Sequence, residues 1–124
     1  MKQVLIVDDV KGWRDYHSGI MEELGEFEIT TASCAQEAYD ILLTETPFDI
    51  IITDLQMENT FAPKHAGEWL VEQIKTFSRY KNTKVVIISA SYNIRHTAEM
   101  LGVDCIPKST ALTCISAYKE VIGI

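Results

Sequence analysis

Five polar residues with the chemistry to bind phosphate and metal follow short apolar runs in this sequence. The acidic pair Asp8 and Asp9, the single Asp54, the hydroxyl of Ser89 and the ammonium of Lys108 each stand directly after such a run or within two residues of one. Continuous apolar runs of this length are typical of strands buried on both faces of a parallel sheet. Because ligands bind outside the carboxyl ends of such strands, we expect all five side chains to meet at one crevice.

Three carboxylates in one crevice favour a divalent metal. Their mutual repulsion would raise the pKa of at least one of them, and a bound cation would relieve it. Oxygen ligands without His or Cys favour Mg²⁺ over zinc. An Asp carboxylate can also be the nucleophile that accepts a phosphoryl group, whose charge the metal and Lys108 would then neutralise while Ser89 donates a hydrogen bond.

Length and composition bound the function further. The chain has 124 residues, of which 47% are apolar and 23% are charged, as is ordinary for a globular protein, and we expect one domain over residues 1–124. Since no apolar stretch approaches the roughly 20 residues that span a bilayer, and the N-terminus lacks a signal-peptide core, the sequence predicts a cytoplasmic protein without membrane contact. The net charge of −7 argues against direct nucleic acid binding. Three cysteines match no metal spacing, and we expect buried reduced thiols at Cys34, Cys105 and Cys114.

Strand and helix patterns alternate from end to end, which predicts βα units. Right-handed crossovers then build an α/β fold, a (βα)5 doubly wound five-stranded parallel sheet of flavodoxin-like order 2-1-3-4-5, with its switch point between strands one and three. Gly25 and Gly102 are expected to end the first and fourth helices. Ser33 is expected to open the second helix as part of a capping box, and Ser109 or Thr110 to cap a single last helix. Apolar residues expected on that last helix are Leu112, Ile115 and Ile122.

At these residues the chain resembles the receiver domain of two-component response regulators. The match runs over essentially the whole chain, through the acidic pair after the first strand, the D-L-Q-M segment that begins at Asp54, Ser89-Ala90 and Lys108. The resemblance implies that Asp54 accepts phosphate from a phosphohistidine of a sensor histidine kinase or a histidine phosphotransfer protein. Ser89 would contact the phosphoryl group and Lys108 would pair with it. The protein would be a signalling module whose only catalysis is its own phosphorylation and dephosphorylation.

The resemblance also assigns the metal ligands and the output. It implies that Asp9 binds Mg²⁺ directly, that Asp8 acts through water, and that Asp54 and the backbone carbonyl of Gln56 complete the protein ligands. Phosphorylation would switch protein–protein contacts with an unknown downstream protein, and a homodimer is one form that such contacts could take.

Three features depart from the family pattern. Cys105 stands three residues before the lysine, where receivers usually carry a Tyr or Phe that swings inward. Tyr92 is a candidate substitute, although a solvent-facing loop aromatic is the favoured interpretation. Pro107 precedes the lysine, whereas receivers usually have a proline after it. The loop after the phosphoacceptor is extended, and loop 58–66, which contains Phe61, Pro63, Lys64 and His65, is expected to act in partner specificity, with His65 exposed.

Two alternative functions remain open from the sequence. A pseudo-receiver would keep the fold as a docking module without phosphorylation, although such a module has no need to concentrate carboxylates. A phosphatase of the haloacid dehalogenase type also uses an Asp nucleophile with Mg²⁺, a hydroxyl and a lysine. That family places its nucleophile in a D-x-D motif and encloses its substrate with a cap, and this sequence has neither.

Overall fold

Five parallel strands form one sheet in the order β2-β1-β3-β4-β5. This order confirms the predicted fold class and strand order. The computed structural model describes residues 1–61 and 65–124, and the side chain of residue 59 is not part of the description. The strands are β1 (Lys2–Val7), β2 (Phe27–Ala32), β3 (Ile50–Thr53), β4 (Lys84–Ser89) and β5 (Asp104–Pro107).

Helices cover both faces of this sheet. They are α1 (Lys11–Leu24), α2 (Ala35–Leu42), α3 (Ala66–Thr76), α4 (Ile94–Leu101), α5 (Lys108–Thr113) and α6 (Ser116–Ile122), with short 3-10 turns at Asn59–Phe61 and Ser78–Tyr80. One core cluster lies between the sheet and α2, α3 and α4, and the other lies between the sheet and α1, α5 and α6. Within the described ranges, every helix is too short or too polar to cross a lipid bilayer.

The central strand β1 shows why the apolar runs are continuous. Leu5 and Val7 pack into the cluster under α2–α4, whereas Val4 and Ile6 pack into the cluster under α1, α5 and α6. Because successive side chains of a strand point to opposite faces, a strand covered on both sides needs apolar residues at every position. The same strand pairs with β2 on one side and β3 on the other, which makes its carboxyl end the switch point of the sheet.

The predicted single last helix is wrong. Two helices, α5 and α6, stand in its place, separated at Cys114, which has an extended backbone (φ −140°, ψ 87°). Ile122 on the second of these helices is buried in the core, whereas Leu112 and Ile115 are 59% and 46% exposed. Nor does a serine or threonine cap α5, since Pro107 occupies its N-cap and the described residues give it no side-chain cap bond.

Cysteine placement corrects two further predictions. Cys114 is exposed and Cys34 and Cys105 are half-buried, so the expected burial of all three thiols is wrong; none of them forms a disulfide within the described chain. Cys34, rather than Ser33, is the N-cap of α2, because its Sγ accepts the backbone N–H of Glu37 at 3.4 Å. The Glu37 carboxylate in turn accepts the backbone N–H of Ser33 at 3.2 Å. The predicted capping box is therefore wrong in its residues: Cys34 caps the helix, and Glu37 reaches back to the residue before the N-cap.

Candidate functional site

The switch point of the sheet brings three carboxylates together. Asp8 follows β1 and Asp54 follows β3, and the backbone N–H of Asp54 still donates to the Val7 carbonyl at 2.9 Å. One side-chain oxygen from each of Asp8, Asp9 and Asp54 lies within 4.8 Å of the others. Asp8 and Asp54 are buried, while Asp9 is exposed at the mouth of the pocket. The predicted convergence of the three acids is thus present in the fold.

Lys108 joins this cluster from the carboxyl end of the edge strand β5. Its Nζ lies 3.1 Å from Asp54 Oδ2 and 3.3 Å from Asp8 Oδ2, at the first residue of α5. The same ammonium sits 4.7 Å from the centre of the Trp13 ring, within the range of a cation–π contact. Trp13 on α1 therefore packs against the site lysine.

Asp54 is fixed by the backbone around it. Its Oδ1 accepts the N–H of Leu55 at 2.7 Å, which leaves Oδ2 to the contact with Lys108. Gly67, near the start of α3, packs directly on this segment. A Cβ at Gly67 would overlap the Asp54 carbonyl oxygen and would lie 2.6 Å from Leu55 Cα. Gly67, which follows the extended loop, therefore packs on the candidate phosphoacceptor Asp54.

The loop that precedes Gly67 is only partly described. The Glu58 carboxylate accepts the backbone N–H of Ala35 at 2.6 Å, at the start of α2. The Phe61 ring stacks on Trp69 with 4.3 Å between ring centres. Loop 58–66 is predicted to act in partner specificity, and its residues 62–64 lie outside the described residues. His65 is the N-cap residue of α3 and is half-buried rather than exposed as expected.

Asp8 carries the perturbed carboxyl of the site. Burial raises its pKa and the charge of Asp54 adds to this, while the Val10 N–H and Lys108 oppose the increase. The predicted direction is right, although burial outweighs the expected charge repulsion. Oδ1 accepts the Val10 N–H at 3.0 Å. Oδ2 is buried and has no hydrogen bond among the residues that the structure describes, although it forms an ion pair with Lys108 Nζ at 3.3 Å.

This donor set fits a hard divalent cation. All three clustered ligands offer carboxylate oxygens, and one of those oxygens is buried without a hydrogen-bond partner in the described structure. Mg²⁺ is commonly held by one or two carboxylates with the rest of its octahedron filled by water or substrate oxygens. Gln56 lies in the exposed loop two residues beyond Asp54, and its carbonyl stays a predicted ligand.

Ser89 and Lys108 line one cleft of about 440 Å³ beside the carboxylates. Ser89 is buried at the end of β4, and its hydroxyl accepts the N–H of Ser91 at 3.2 Å. Tyr92 lines the same cleft but is 99% exposed, so it does not pack over the site in place of the missing aromatic. Cys105 is half-buried against the α2–α4 cluster, and burial raises the pKa of its thiol.

Two buried residues behind the pocket were not anticipated from the sequence. His17 on α1 is 1% exposed, and its Nδ1 lies 2.8 Å from the hydroxyl of the fully buried Tyr118 on α6. Its Nε2 lies 4.0 Å from Asp8 Oδ2. Burial, assisted by the charge of Lys108, lowers the pKa of His17 to about 4. The signal was available, since a histidine four residues after Trp13 lies on the apolar face of the helix.

The chain is similar in sequence and in fold to known signalling proteins. Over 87 residues, or 70% of the chain, the sequence is 34% identical to two-component response regulator ORR5 of Oryza sativa, of which this stretch is 60%. The matched stretch spans between 35% and 60% of the lengths of the curated relatives. Chemotaxis protein CheY4 of Vibrio cholerae is 25% identical with a TM-score of 0.74, over 98% of both chains.

A second solved structure carries a ligand. Response regulator protein TrrA of Thermotoga maritima, in complex with Mg²⁺ and BeF, is 25% identical with a TM-score of 0.69, over 85% of this chain and 84% of that one. The family model of the response regulator receiver domain matches residues 4–117. This range includes the three clustered acids Asp8, Asp9 and Asp54 as well as Ser89 and Lys108. The chain therefore belongs to the response regulator receiver domain family of two-component signalling.

Proposed function

We propose that residues 1–124 act as one receiver domain that accepts phosphate on Asp54 in a Mg²⁺-dependent reaction. The phosphate donor is a phosphohistidine of a sensor histidine kinase or a histidine phosphotransfer protein. The observation that supports this is the convergence of oxygens from Asp8, Asp9 and Asp54 within 4.8 Å, with the Lys108 ammonium 3.1 Å from Asp54 Oδ2. Receiver domains act as signalling modules, and the function proposed here is self-phosphorylation and self-dephosphorylation without a turnover substrate.

The transfer moves one phosphoryl group between two side chains. A carboxylate oxygen of Asp54 forms a bond to phosphorus while the phosphorus–nitrogen bond of the donor breaks. The donor imidazole keeps the electron pair of that bond and takes up a proton. Lys108 stays within reach of the new phosphoryl oxygens because its Nζ already pairs with Oδ2. The Leu55 N–H holds the other oxygen in place at 2.7 Å, which keeps the carboxylate plane fixed during attack.

Asp8, Asp9, Asp54 and the Gln56 carbonyl are the residues proposed to hold Mg²⁺. The bound cation would supply charge neutralisation of the phosphoryl oxygens. Asp9 suits direct contact because it is exposed at the pocket mouth, and buried Asp8 suits a contact through water. Ser89 is proposed to donate its hydroxyl to a phosphoryl oxygen, and its position in the same cleft as Lys108 supports this role.

An apolar surface beside the pocket is the proposed docking site for the phosphate donor. Val10 and Leu112 are 48% and 59% exposed, and they border a shallow cleft with Trp13, whose ring also contacts Lys108. A donor seated there would approach Asp54 from the carboxyl edge of the sheet. The output is a change in protein–protein contacts with an unknown downstream protein, without direct nucleic acid binding.

One experiment tests the proposed phosphorylation. The protein and an Asp54→Asn variant are incubated with Mg²⁺ and acetyl phosphate, and intact mass is measured before and after acid treatment. We expect one acid-labile phosphate per wild-type chain, none on the variant, and none when the metal is chelated. Mg²⁺ binding without modification would instead identify a pseudo-receiver. Multiple turnover of a phosphomonoester would identify a phosphatase of the haloacid dehalogenase type.

A further inference from the structure

A chain of buried polar groups leads away from the acidic pocket into the core under α1 and α6. Asp8 Oδ2 lies 4.0 Å from His17 Nε2, and His17 Nδ1 lies 2.8 Å from the hydroxyl of Tyr118. All three side chains are at most 2% exposed. Trp13 lies against the His17 ring with 5.4 Å between ring centres, which helps to fix the ring plane.

Buried polar side chains in an apolar core need a compensating contact. Leaving an imidazole and a phenol in a core costs free energy unless each finds a hydrogen-bond partner. Mutual satisfaction of His17 and Tyr118 would account for Nδ1 alone. It would not account for the second ring nitrogen, which lies 4.0 Å from Asp8 Oδ2. That oxygen is buried without a hydrogen bond in the described structure, and Lys108 Nζ lies 3.3 Å from it on the side of the pocket.

The hydrogen bond to Tyr118 determines which nitrogen of neutral His17 carries the proton. If the phenol donates to Nδ1, the proton lies on Nε2 and its N–H dipole points towards the negative Asp8 Oδ2. In the other tautomer, the lone pair of Nε2 would face the carboxylate and repel it. The arrangement in which both contacts are favourable is therefore Tyr118 O–H to Nδ1, with Nε2–H towards Asp8. At 4.0 Å the second contact is an electrostatic one and not a hydrogen bond.

We propose that His17 and Tyr118 are positioning residues for the divalent cation. His17 Nε2–H holds Asp8 Oδ2 in the orientation that serves the metal, and the Tyr118 hydroxyl holds the His17 tautomer. Mutation of groups that orient metal ligands from behind typically weakens metal binding about 10–100-fold. This inference rests on the proposed function in taking the acidic pocket as the Mg²⁺ site.

The test measures Mg²⁺ affinity by isothermal titration calorimetry, without any phosphorylation step. His17→Leu should bind Mg²⁺ about tenfold more weakly than wild type, the lower end of the effect of such positioning groups. Tyr118→Phe should lower the Mg²⁺ affinity by a smaller factor than His17→Leu does, since it removes only the group that sets the tautomer. His17→Gln should recover most of the affinity, because its amide nitrogen places a donor near the position of Nε2.

Tyr16→Phe is the matched control. It removes a phenol of α1, the helix that also carries His17. The Tyr16 hydroxyl donates to the Ala111 carbonyl at 2.8 Å, and no contact between it and Asp8 is found in the described structure. Its Mg²⁺ affinity should equal that of wild type, and thermal unfolding of every variant checks that each one folds. Nitrogen-15 chemical shifts provide a separate readout: wild-type His17 should show the Nε2–H tautomer, and Tyr118→Phe should shift that signal.

Two results would overturn the inference. One is Mg²⁺ affinity of His17→Leu and Tyr118→Phe that matches Tyr16→Phe, and the other is an Nδ1–H tautomer in wild type. Asp9→Asn separates this failure from a failure of the proposed function. If wild type binds Mg²⁺ and Asp9→Asn does not, only the positioning role has failed. If wild type does not bind Mg²⁺, both the site assignment and the inference are wrong.

Discussion

The two sides of the carboxyl edge are held by different kinds of contact. On one side, Asp8 and Asp54 are buried, and Lys108 bridges them from a part of the chain 54 residues beyond Asp54. On the other side, the hydrogen bonds of the loop from β4 to α4 join near neighbours in sequence, such as Ser91 N–H to Ser89 and Ser91 hydroxyl to Asn93 at 2.5 Å. Long-range contacts preorganise the first side, whereas local contacts leave the second side freer to change conformation.

This difference suggests where a phosphorylation signal would be strongest. Charge added at Asp54 acts directly on Lys108, which begins α5, and on Asp8, which faces His17 and through it Tyr118 on α6. The usual inward-swinging aromatic is absent on the other side, where Cys105 is half-buried and Tyr92 points into solvent. We therefore expect changes at the carboxylate side to have larger effects than changes in the loop.

The largest expected effect comes from Gly67→Ala. The added Cβ would overlap the Asp54 carbonyl oxygen, and backbone cannot move aside as a flexible side chain can. We expect a loss of about 3 kcal/mol or more in the free energy of unfolding, with loss of phosphorylation, because α3 must separate from the end of β3. Urea denaturation measures the change.

Gly19→Ala is the control for that substitution. Gly19 is exposed inside α1, and an added Cβ meets nothing described within 4 Å. Alanine there should stabilise the protein by about 0.5–1 kcal/mol, since it has the higher helix propensity. Equal effects of the two substitutions would show that close packing of Gly67 does not support the segment at Asp54.

Removal of the bridging ammonium should have the next largest effect. Lys108→Met leaves two buried carboxylates without the cation 3.1–3.3 Å away, and we expect unfolding to become easier by about 3 kcal/mol at neutral pH. Phosphorylation by acetyl phosphate should slow about 100-fold, as for loss of one group that stabilises developing charge. Added Mg²⁺ should raise the melting temperature more in the variant than in wild type.

Lys11→Met provides the comparison on the surface. Lys11 pairs with Asp15 at 2.7 Å, but both side chains are more than 60% exposed, and the effect on unfolding should stay within about 0.5 kcal/mol. If Lys108→Met also changes the free energy of unfolding by no more than this, the carboxylate side is not held together by its ion pairs.

Much of this comparison could be predicted from the sequence because it depends on strands. The apolar runs 4–7 in β1 and 50–52 in β3 predicted a sheet covered on both faces, and the strand order then brought Asp8 and Asp54 together. The details that failed depend on tertiary packing. Neither the extended Cys114 between α5 and α6 nor the N-cap at Cys34 has a distinct local pattern.

The role of His17 could not be predicted for a different reason. Its position on the apolar face of α1 was readable, but the partner of its ring lies 101 residues away on α6. Helix periodicity places a side chain on a face and does not say which side chain it meets. The helix break at Cys114 precedes Tyr118, so an expectation of one continuous last helix could not have indicated this contact.

A smaller effect is expected at the boundary between the two sides. The hydroxyl of buried Ser89 accepts the Ser91 N–H at 3.2 Å, and Ser89→Ala should cost about 1 kcal/mol because that N–H loses its partner. Ser91→Ala, which removes an exposed hydroxyl bonded to Asn93, is the matched control and should change unfolding by less than about 0.5 kcal/mol. Both are measured by urea denaturation, and a larger loss at Ser91 would show that the buried Ser89 hydroxyl does not stabilise this loop more than the exposed contact does.

The smallest expected effect belongs to Tyr92, the candidate substitute for the missing switch aromatic. Because its side chain is 99% exposed, Tyr92→Ala removes almost no buried surface, and the free energy of unfolding should change by less than about 0.5 kcal/mol. Mg²⁺ affinity and the rate of phosphorylation by acetyl phosphate should equal those of wild type. A variant with slowed phosphorylation, or with a changed lifetime of the phosphate, would show that Tyr92 moves onto the site when Asp54 is phosphorylated. In that case the loop side of the edge would be coupled to the carboxylates after all, through a conformation that forms only in the phosphorylated protein.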